Sequence, residues 1–201
     1  MKSLGILVGF IFLSITACNE DENNQSFDQL TEAGKQGLIF TRQEEKLAYD
    51  VYRYAFNKYG SSIFNNISNS ELTHQSAVES LLDKYGIENP VKNMGPGLFE
   101  NAELQTLYLQ LTQKVDLSLA DALEVGATIE DLDIDDLMKL LAETQKSDLI
   151  STYEMLTCGS RNHLRGFTSQ LANLGKNYTP QFLDQTTYTS ILRGNHENCG
   201  K

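Results

Sequence analysis

SIFNNISNSELTHQSAVESLLDKY, residues 62–85, sets Phe64, Ile67, Glu71, His74, Val78, Leu81 and Tyr85 in steps of three and four. That spacing keeps one face of a helix inward along its whole length. The face is apolar at both ends and ionisable in the middle, where Glu71 and His74 stand three residues apart. Gly86 stops the helix. Upstream, Thr41-Arg42-Gln43-Glu44 fits a capping box, which predicts a helix over about 41–58 that stops at Gly60. Downstream, residues 86–117 form a connection with Pro90, Gly95, Pro96 and Gly97, and a short helix carrying Leu104, Leu107, Tyr108 and Leu111. A helix follows from Ser118 to about 143, with Asp131–Asp136 as the place where a break would fall. Another runs from Ser147 to about 173. Alternating Val/Ile patterns are nearly absent, so the fold class is all-α.

The other long helices interrupt their apolar stripes in the same way. The 118–143 helix carries Leu119, Leu123, Gly126, Glu130, Asp133, Leu137 and Leu140 on one face. The 147–173 helix carries Leu149, Tyr153, Leu156, Ser160, His163, Phe167 and Leu171. The first helix offers Glu45, Ala48, Tyr52, Ala55 and Tyr59, and Glu44 competes with Glu45 for the inward position. Four long helices with one long crossover between the second and third match the connectivity of a ferritin-like four-helix bundle. An unpaired buried charge costs several kcal/mol even after relaxation, about the size of a domain's net stability. Carboxylates and imidazoles gathered in one core therefore call for cations between them. Glu and Asp oxygens with His nitrogens suit iron, manganese or zinc. The expected ligands are Glu45, Glu71, His74, Glu130, Asp133 and His163, with two iron ions as the first expectation.

These residues also carry a resemblance. Glu45-Lys46-Leu47-Ala48-Tyr49-Asp50-Val51-Tyr52 resembles the first helix of rubrerythrin-type proteins, and Glu71-Leu72-Thr73-His74 their second-helix motif. Ile129-Glu130-Asp131-Leu132-Asp133-Ile134 is similar to the third-helix Glu-x-x-Glu segment of related families. Gly159-Ser160-Arg161-Asn162-His163-Leu164-Arg165 and Tyr178-Thr179-Pro180-Gln181-Phe182-Leu183 resemble a ferritin-like family catalogued as domain of unknown function 2202. The resemblance covers about 38–192. It implies a di-metal centre that reduces peroxide or oxygen, or oxidises ferrous iron. The sequence departs from that pattern at Ser160, where a full di-iron bundle has Glu three residues before its last His. Asp133 is the carboxylate available to replace it, although Asp is one methylene shorter.

Composition narrows the remaining classes. Lys and Arg number 16 against 27 Asp and Glu, a net charge of −11, with no basic cluster. A nucleic-acid partner is excluded on that ground. Lys2 and the apolar run Leu4–Ile15 read as a signal peptide over residues 1–17, too short to span a bilayer. Ala17-Cys18 resembles a bacterial lipobox, with Cys18 the lipidated residue that starts the mature chain. The chain is then an exported lipoprotein of the cell envelope, touching the membrane through its lipid alone. Residues 18–37 read as an acidic flexible tether, 38–192 as the helical domain and 193–201 as a polar tail. Cys158 and Cys199 either form a disulfide in an oxidising compartment or remain a buried thiol and a tail thiol. Residues 116–136 hold eight acids and no base, and their spacing places Asp121, Glu124, Thr128 and Asp131 on a solvated face. Tyr178, Phe182, Leu183, Tyr188, Ile191 and Leu192 are expected to clip the polar 176–201 segment onto the bundle. No Cys-x-x-Cys relay follows the helices, so an enzyme of this design takes electrons from a separate donor. The alternative is a non-enzymatic scaffold that kept the fold and lost the metals, as Ser160 would suggest.

Overall fold

The structure, a computed structural model, describes residues 29–200. Among these residues there are six helices and no strand: α1 Glu32–Tyr59, α2 Ser62–Lys84, α3 Ala102–Val115, α4 Leu119–Glu143, α5 Ser147–Asn173 and α6 Gln185–Arg193. No helix of the described residues is long and apolar enough to cross a membrane. The expected signal peptide, the expected lipidation site at Cys18 and most of the expected tether lie outside the described residues.

α1 and α2 form one tightly packed hairpin and α4 and α5 another. Gly60, in the left-handed region at φ 63°, makes the reversal between α1 and α2 where a side chain would be strained. The crossover between the hairpins lays α3 against α1 and α4. Buried Lys46 and Asp50 of α1 fasten it: Lys46 Nζ donates to the Gly95 carbonyl at 2.9 Å, and Asp50 Oδ2 accepts from the Gly97 amide at 2.9 Å. Here a buried ion pair is satisfied on both sides by backbone, so neither charge is left bare.

Two expectations about the helices need correction. α1 starts at Glu32, not near Thr41. Its cap is Thr31, whose side chain accepts from the Gly34 amide at 3.1 Å, and Thr41 is fully buried in mid-helix. The last part of the stretch read as tether is thus the first turns of α1, held by Leu30 and Leu38 in a core with Leu149 and Tyr153. α4 runs without a break through 131–136. The tail segment contains α6, capped by Asp184 and anchored by buried Tyr188 and Ile191. Nine residues are too few for periodicity to stand out in a polar stretch.

Two apolar clusters fill the bundle. One gathers Ala48, Val51, Tyr52, Phe64, Ile67, Leu123, Leu164 and Phe167. The other gathers Leu38, Val78, Leu82, Leu137, Leu149, Tyr153 and Leu156. Along each of α1, α2 and α5 the sequence passes from one cluster to the other across the ionisable residues. In α4, Glu130 and Asp133 lie in the same interval, with Ile134 still in the first cluster. The polar band therefore cuts across the middle of the core.

Candidate metal centre

Glu45, Glu71, His74, Glu130, Ser160 and His163 are all buried, at 8% exposure or less. α1 brings Glu45, α2 brings Glu71 and His74 one helical turn apart, α4 brings Glu130 and α5 brings His163. Glu71 lies between the histidines. Its Oε2 is 2.9 Å from His74 Nδ1 and its Oε1 is 2.9 Å from His163 Nδ1. Glu45 Oε2 approaches His74 Nδ1 at 3.2 Å, and Glu130 Oε2 approaches His163 Nδ1 at 3.3 Å. The donors thus form two groups that share Glu71: Glu45, Glu71 and His74, and Glu71, Glu130 and His163, each with its ligand atoms within 4.8 Å of one another.

Glu45 Oε1 is buried without a hydrogen-bond partner, and Glu71 Oε1 and His163 Nδ1, 2.9 Å apart as an ion pair, lack the alignment of a hydrogen bond. A core that leaves such polar atoms incompletely satisfied in one place carries a desolvation cost, and a cation bound there would reduce it. The donor chemistry and the orphaned atoms both fit divalent metals with mixed oxygen and nitrogen ligation.

The electrostatics agree. Burial raises Glu45 and Glu130 above the usual carboxylate range. Burial would raise Glu71 too, but His163 and His74 on either side bring it well below that range. Burial alone would lower His163; Glu71 and Glu130 instead raise it to about 10, and Glu45 and Glu71 raise His74 in the same way. Without metal, the site holds its charge balance with protons on the imidazoles.

Neighbours fix the donor side chains. Tyr52 Oη donates to Glu130 Oε1 at 2.6 Å, and the Tyr52 ring packs on Phe167. Gly159 lies so close to His74 that a Cβ there would stand 2.4 Å from Nε2. Gly126 is likewise required by Phe167, whose ring a Cβ would meet at 2.5 Å. Sequence spacing put Gly126 on the inward stripe without showing why it is Gly, and it showed nothing of Gly159.

Asp133 stands apart from both donor groups. It is half-buried, accepts from Ser160 Oγ at 2.5 Å, and is raised to about 7 by burial and by Glu130. It thus sits beside Ser160, outside both donor groups. Glu44 lines the same space as Asp133, while Glu45 takes the place in the donor group with Glu71 and His74.

The acidic run of α4 is not simply a solvated face. Asp131 is fully buried. Its carboxylate accepts from Tyr178 Oη at 2.8 Å and from the amides of Gln181, Phe182 and Leu183 at 2.6, 3.1 and 3.0 Å. One carboxylate thereby ties the 178–183 segment beside Glu130. Spacing along α4 pointed Asp131 outward, and the C-terminal segment covers it. On the other side, Cys158 and Cys199 form a disulfide. Glu197 pairs with Arg161 and Arg165, so the 196–199 tail lies over a recess bordered by His74, Gly159 and His163.

The profile of a family described as an uncharacterized protein domain, DUF2202, matches residues 34–195, and the chain belongs to that family. The chain is 49% identical over 168 residues to uncharacterized protein MJ0754 of Methanocaldococcus jannaschii, a match spanning 84% of this chain and 91% of the relative. The crystal structure of hypothetical protein MJ0754 from Methanococcus jannaschii aligns with a TM-score of 0.82, covering 84% of this chain and 96% of that one.

Proposed function

We propose that this domain is a ferritin-like, rubrerythrin-related metalloprotein whose core would hold a pair of metal ions, with Glu71 common to both donor groups. The observation that carries the reading is Glu71, whose two oxygens each stand 2.9 Å from the Nδ1 of a different histidine. One ion would be held by Glu45, Glu71 and His74, and the other by Glu71, Glu130 and His163. Iron is the proposed metal, with manganese or zinc as alternatives for the same donors. A redox-active pair supplies one-electron changes at two adjacent centres, which suits reduction of oxygen or peroxide, or oxidation of ferrous iron. The protein's own contribution is positioning. Tyr52 holds Glu130 by its hydroxyl, Gly159 leaves room for the His74 ring, and the tail covers the histidines. Reducing equivalents come from a separate donor protein. The N-terminal segment, which precedes the family match at residue 34, carries export and lipid attachment at Cys18 on this reading.

Ser160 favours a second reading, a bundle that has lost its metals and serves as an envelope scaffold. Elemental analysis separates the two. The metal reading expects close to two ions per chain after expression with iron or manganese, and a melting temperature that rises with added metal by mass action. Absence of bound iron, manganese and zinc, with no thermal shift from any of them, would leave the scaffold.

A further inference from the structure

α5 turns a second face to the end of its own chain. Cys158, Arg161, Asn162 and Arg165 follow the i, i+3, i+4, i+7 spacing of one helical stripe, beside the stripe that carries Ser160 and His163 inward. All four hold Glu197 or Cys199. Cys158 is bonded to Cys199. Arg161 pairs with both Glu197 oxygens, through Nε to Oε1 at 2.9 Å and through Nη2 to Oε2, and Arg165 Nη2 donates to Oε1 at 2.6 Å. Asn162 takes the backbone on both sides. Its Nδ2 donates to the Glu197 carbonyl at 3.0 Å, and its Oδ1 accepts from the Glu197 amide at 2.9 Å.

The bridge joins no two helices. Cys199 lies beyond α6, which ends at Arg193 and is already anchored by buried Tyr188 and Ile191. What the bridge fastens is the strip 194–199, and that strip walls a recess of about 430 Å³. His196, Glu197 and Cys199 line the recess from the tail, and His74, Gly159 and His163 line it from the bundle. Both histidines give Nδ1 to the carboxylates, so the remaining edge of each ring is turned away from them. In His74 that edge, Nε2 and Cε1, lies against Gly159.

The two holds on the strip break under different conditions. Arg161 and Arg165 keep Glu197 ionised, down to about 2, so neutral pH leaves the ion pairs intact. Salt weakens them, because they are partly exposed. A disulfide is indifferent to salt and yields to a dithiol. Cys158 is buried and Cys199 half-buried, so Cys199 Sγ is the sulfur within a reductant's reach.

We propose that Cys158–Cys199 is a redox latch, opened by a dithiol reductant, which frees the tail and uncovers the recess beside His74 and His163. A thiolate of the reductant attacks Cys199 Sγ, the S–S bond breaks, and Cys158 leaves as a thiolate that takes a proton. The second thiolate of the reductant then attacks its own sulfur in the mixed disulfide. Cys199 leaves and is protonated, and the reductant ends as a disulfide. Two electrons and two protons pass from the dithiol to the bridge. Asn162 Nδ2, 3.4 Å from Cys199 Sγ, is placed to donate to the departing thiolate. The latch stands on the tail contacts alone, and its use as a gate to the histidine side of a metal centre rests on the metal-centre reading.

The test uses NMR of the full metal-free chain, oxidised and after reduction with dithiothreitol. It follows hydrogen exchange at the Glu197 amide and broadening of the histidine ring signals by a soluble neutral nitroxide. In the oxidised chain the amide should exchange slowly and the nitroxide should broaden His196 alone. Reduction should speed the exchange several-fold and bring His74 and His163 into the broadened set, more so as salt is raised. The double variant Cys158→Ser, Cys199→Ser should behave as the reduced chain does without reductant, and it serves for the zinc-loaded comparison because dithiothreitol binds zinc. Glu197→Gln should leave the oxidised tail in place and, once reduced, free it at low salt. A reduced tail that stays protected at high salt would overturn the proposal. So would release of the oxidised tail by Glu197→Gln, which would make the ion pairs the only hold. Loss of protection throughout α2 and α4 on reduction would also overturn it, by making the bridge a staple of the whole fold. Failure of the metal reading shows separately, as a lack of bound zinc, and the latch is read on the metal-free chain regardless.

Discussion

The α1–α2 hairpin and the α4–α5 hairpin supply the centre in parallel, each with a Glu on its first helix and a His on its second. Glu45 and His74 come from one, Glu130 and His163 from the other. They differ three residues before the histidine, where α2 has Glu71 and α5 has Ser160. Glu71 reaches both histidines, whereas Ser160 gives its hydroxyl to Asp133 and to the Leu156 carbonyl. The lesson concerns charge. With a single carboxylate between the imidazoles, the core carries one fewer buried anion, and the acid that might have been second stands beside Ser160. There it is half-buried and hydrogen-bonded. A bundle can therefore keep a shared carboxylate on one hairpin alone and relieve the repulsion that a second would add.

Breaking the shared element should have the largest effect. Glu71→Ala should abolish binding at both groups and strand two histidines in the core. Removing one partner of a buried charge set costs about 3–5 kcal/mol, so the metal-free variant should melt well below the parent. Elemental analysis and calorimetry check this. Retention of one tightly held ion would show that the hairpins bind independently.

The next effect is that of pH. In the metal-free protein His163 stays protonated up to about 10, and His74 is raised as well. A metal must displace a proton from each hairpin, so affinity should rise with pH between about 6 and 9, with on the order of two protons released. Titration calorimetry in buffers of different ionisation enthalpy counts them. The sign is opposite for the metal-free fold. His163 contributes stability in full below its unfolded pKa of about 6.5, and that contribution is lost as pH rises through about 10. A pH-independent metal affinity would remove the imidazoles from the ligand set.

A smaller effect should separate the hairpins. In Gly159→Ala the new Cβ would stand 2.4 Å from His74 Nε2 and force the ring aside. Overpacking of this kind costs about 1–3 kcal/mol. Metal content should fall toward one ion, held on the Glu130–His163 side. Gly126→Ala, which strikes Phe167 instead, should cost similar stability and leave stoichiometry intact. Equal metal loss in both variants would mean general loosening rather than a His74-specific effect.

Least should come from the position where the hairpins differ. Asp133→Asn keeps an acceptor for Ser160, and Asp133 lies outside both donor groups. Metal stoichiometry should therefore match the parent's. A drop comparable with that of Glu130→Ala would promote Asp133 to a ligand.

Much of this was legible in the chain. Steps of three and four residues settle which side of each helix faces inward, because 3.6 residues per turn is a local property. The same steps marked Glu71, His74, Glu130 and His163 as breaks in apolar stripes, and bare burial of such groups is too costly to be accidental. Periodicity along one helix is silent about what arrives from elsewhere in the chain. Asp131 looked solvated until residues 178–183 covered it, and Thr41 looked like a cap until Leu30 and Leu38 found partners on α5. The pairing of Cys158 with Cys199, the need for Gly at 159, the choice of Glu45 over Glu44 and the detachment of Asp133 are likewise contacts between distant segments. The sequence by itself determined an all-helical bundle with ionisable groups across its middle. Only the tertiary structure decided which of those groups meet, because a helix sets the direction of a side chain while its neighbours set the distance.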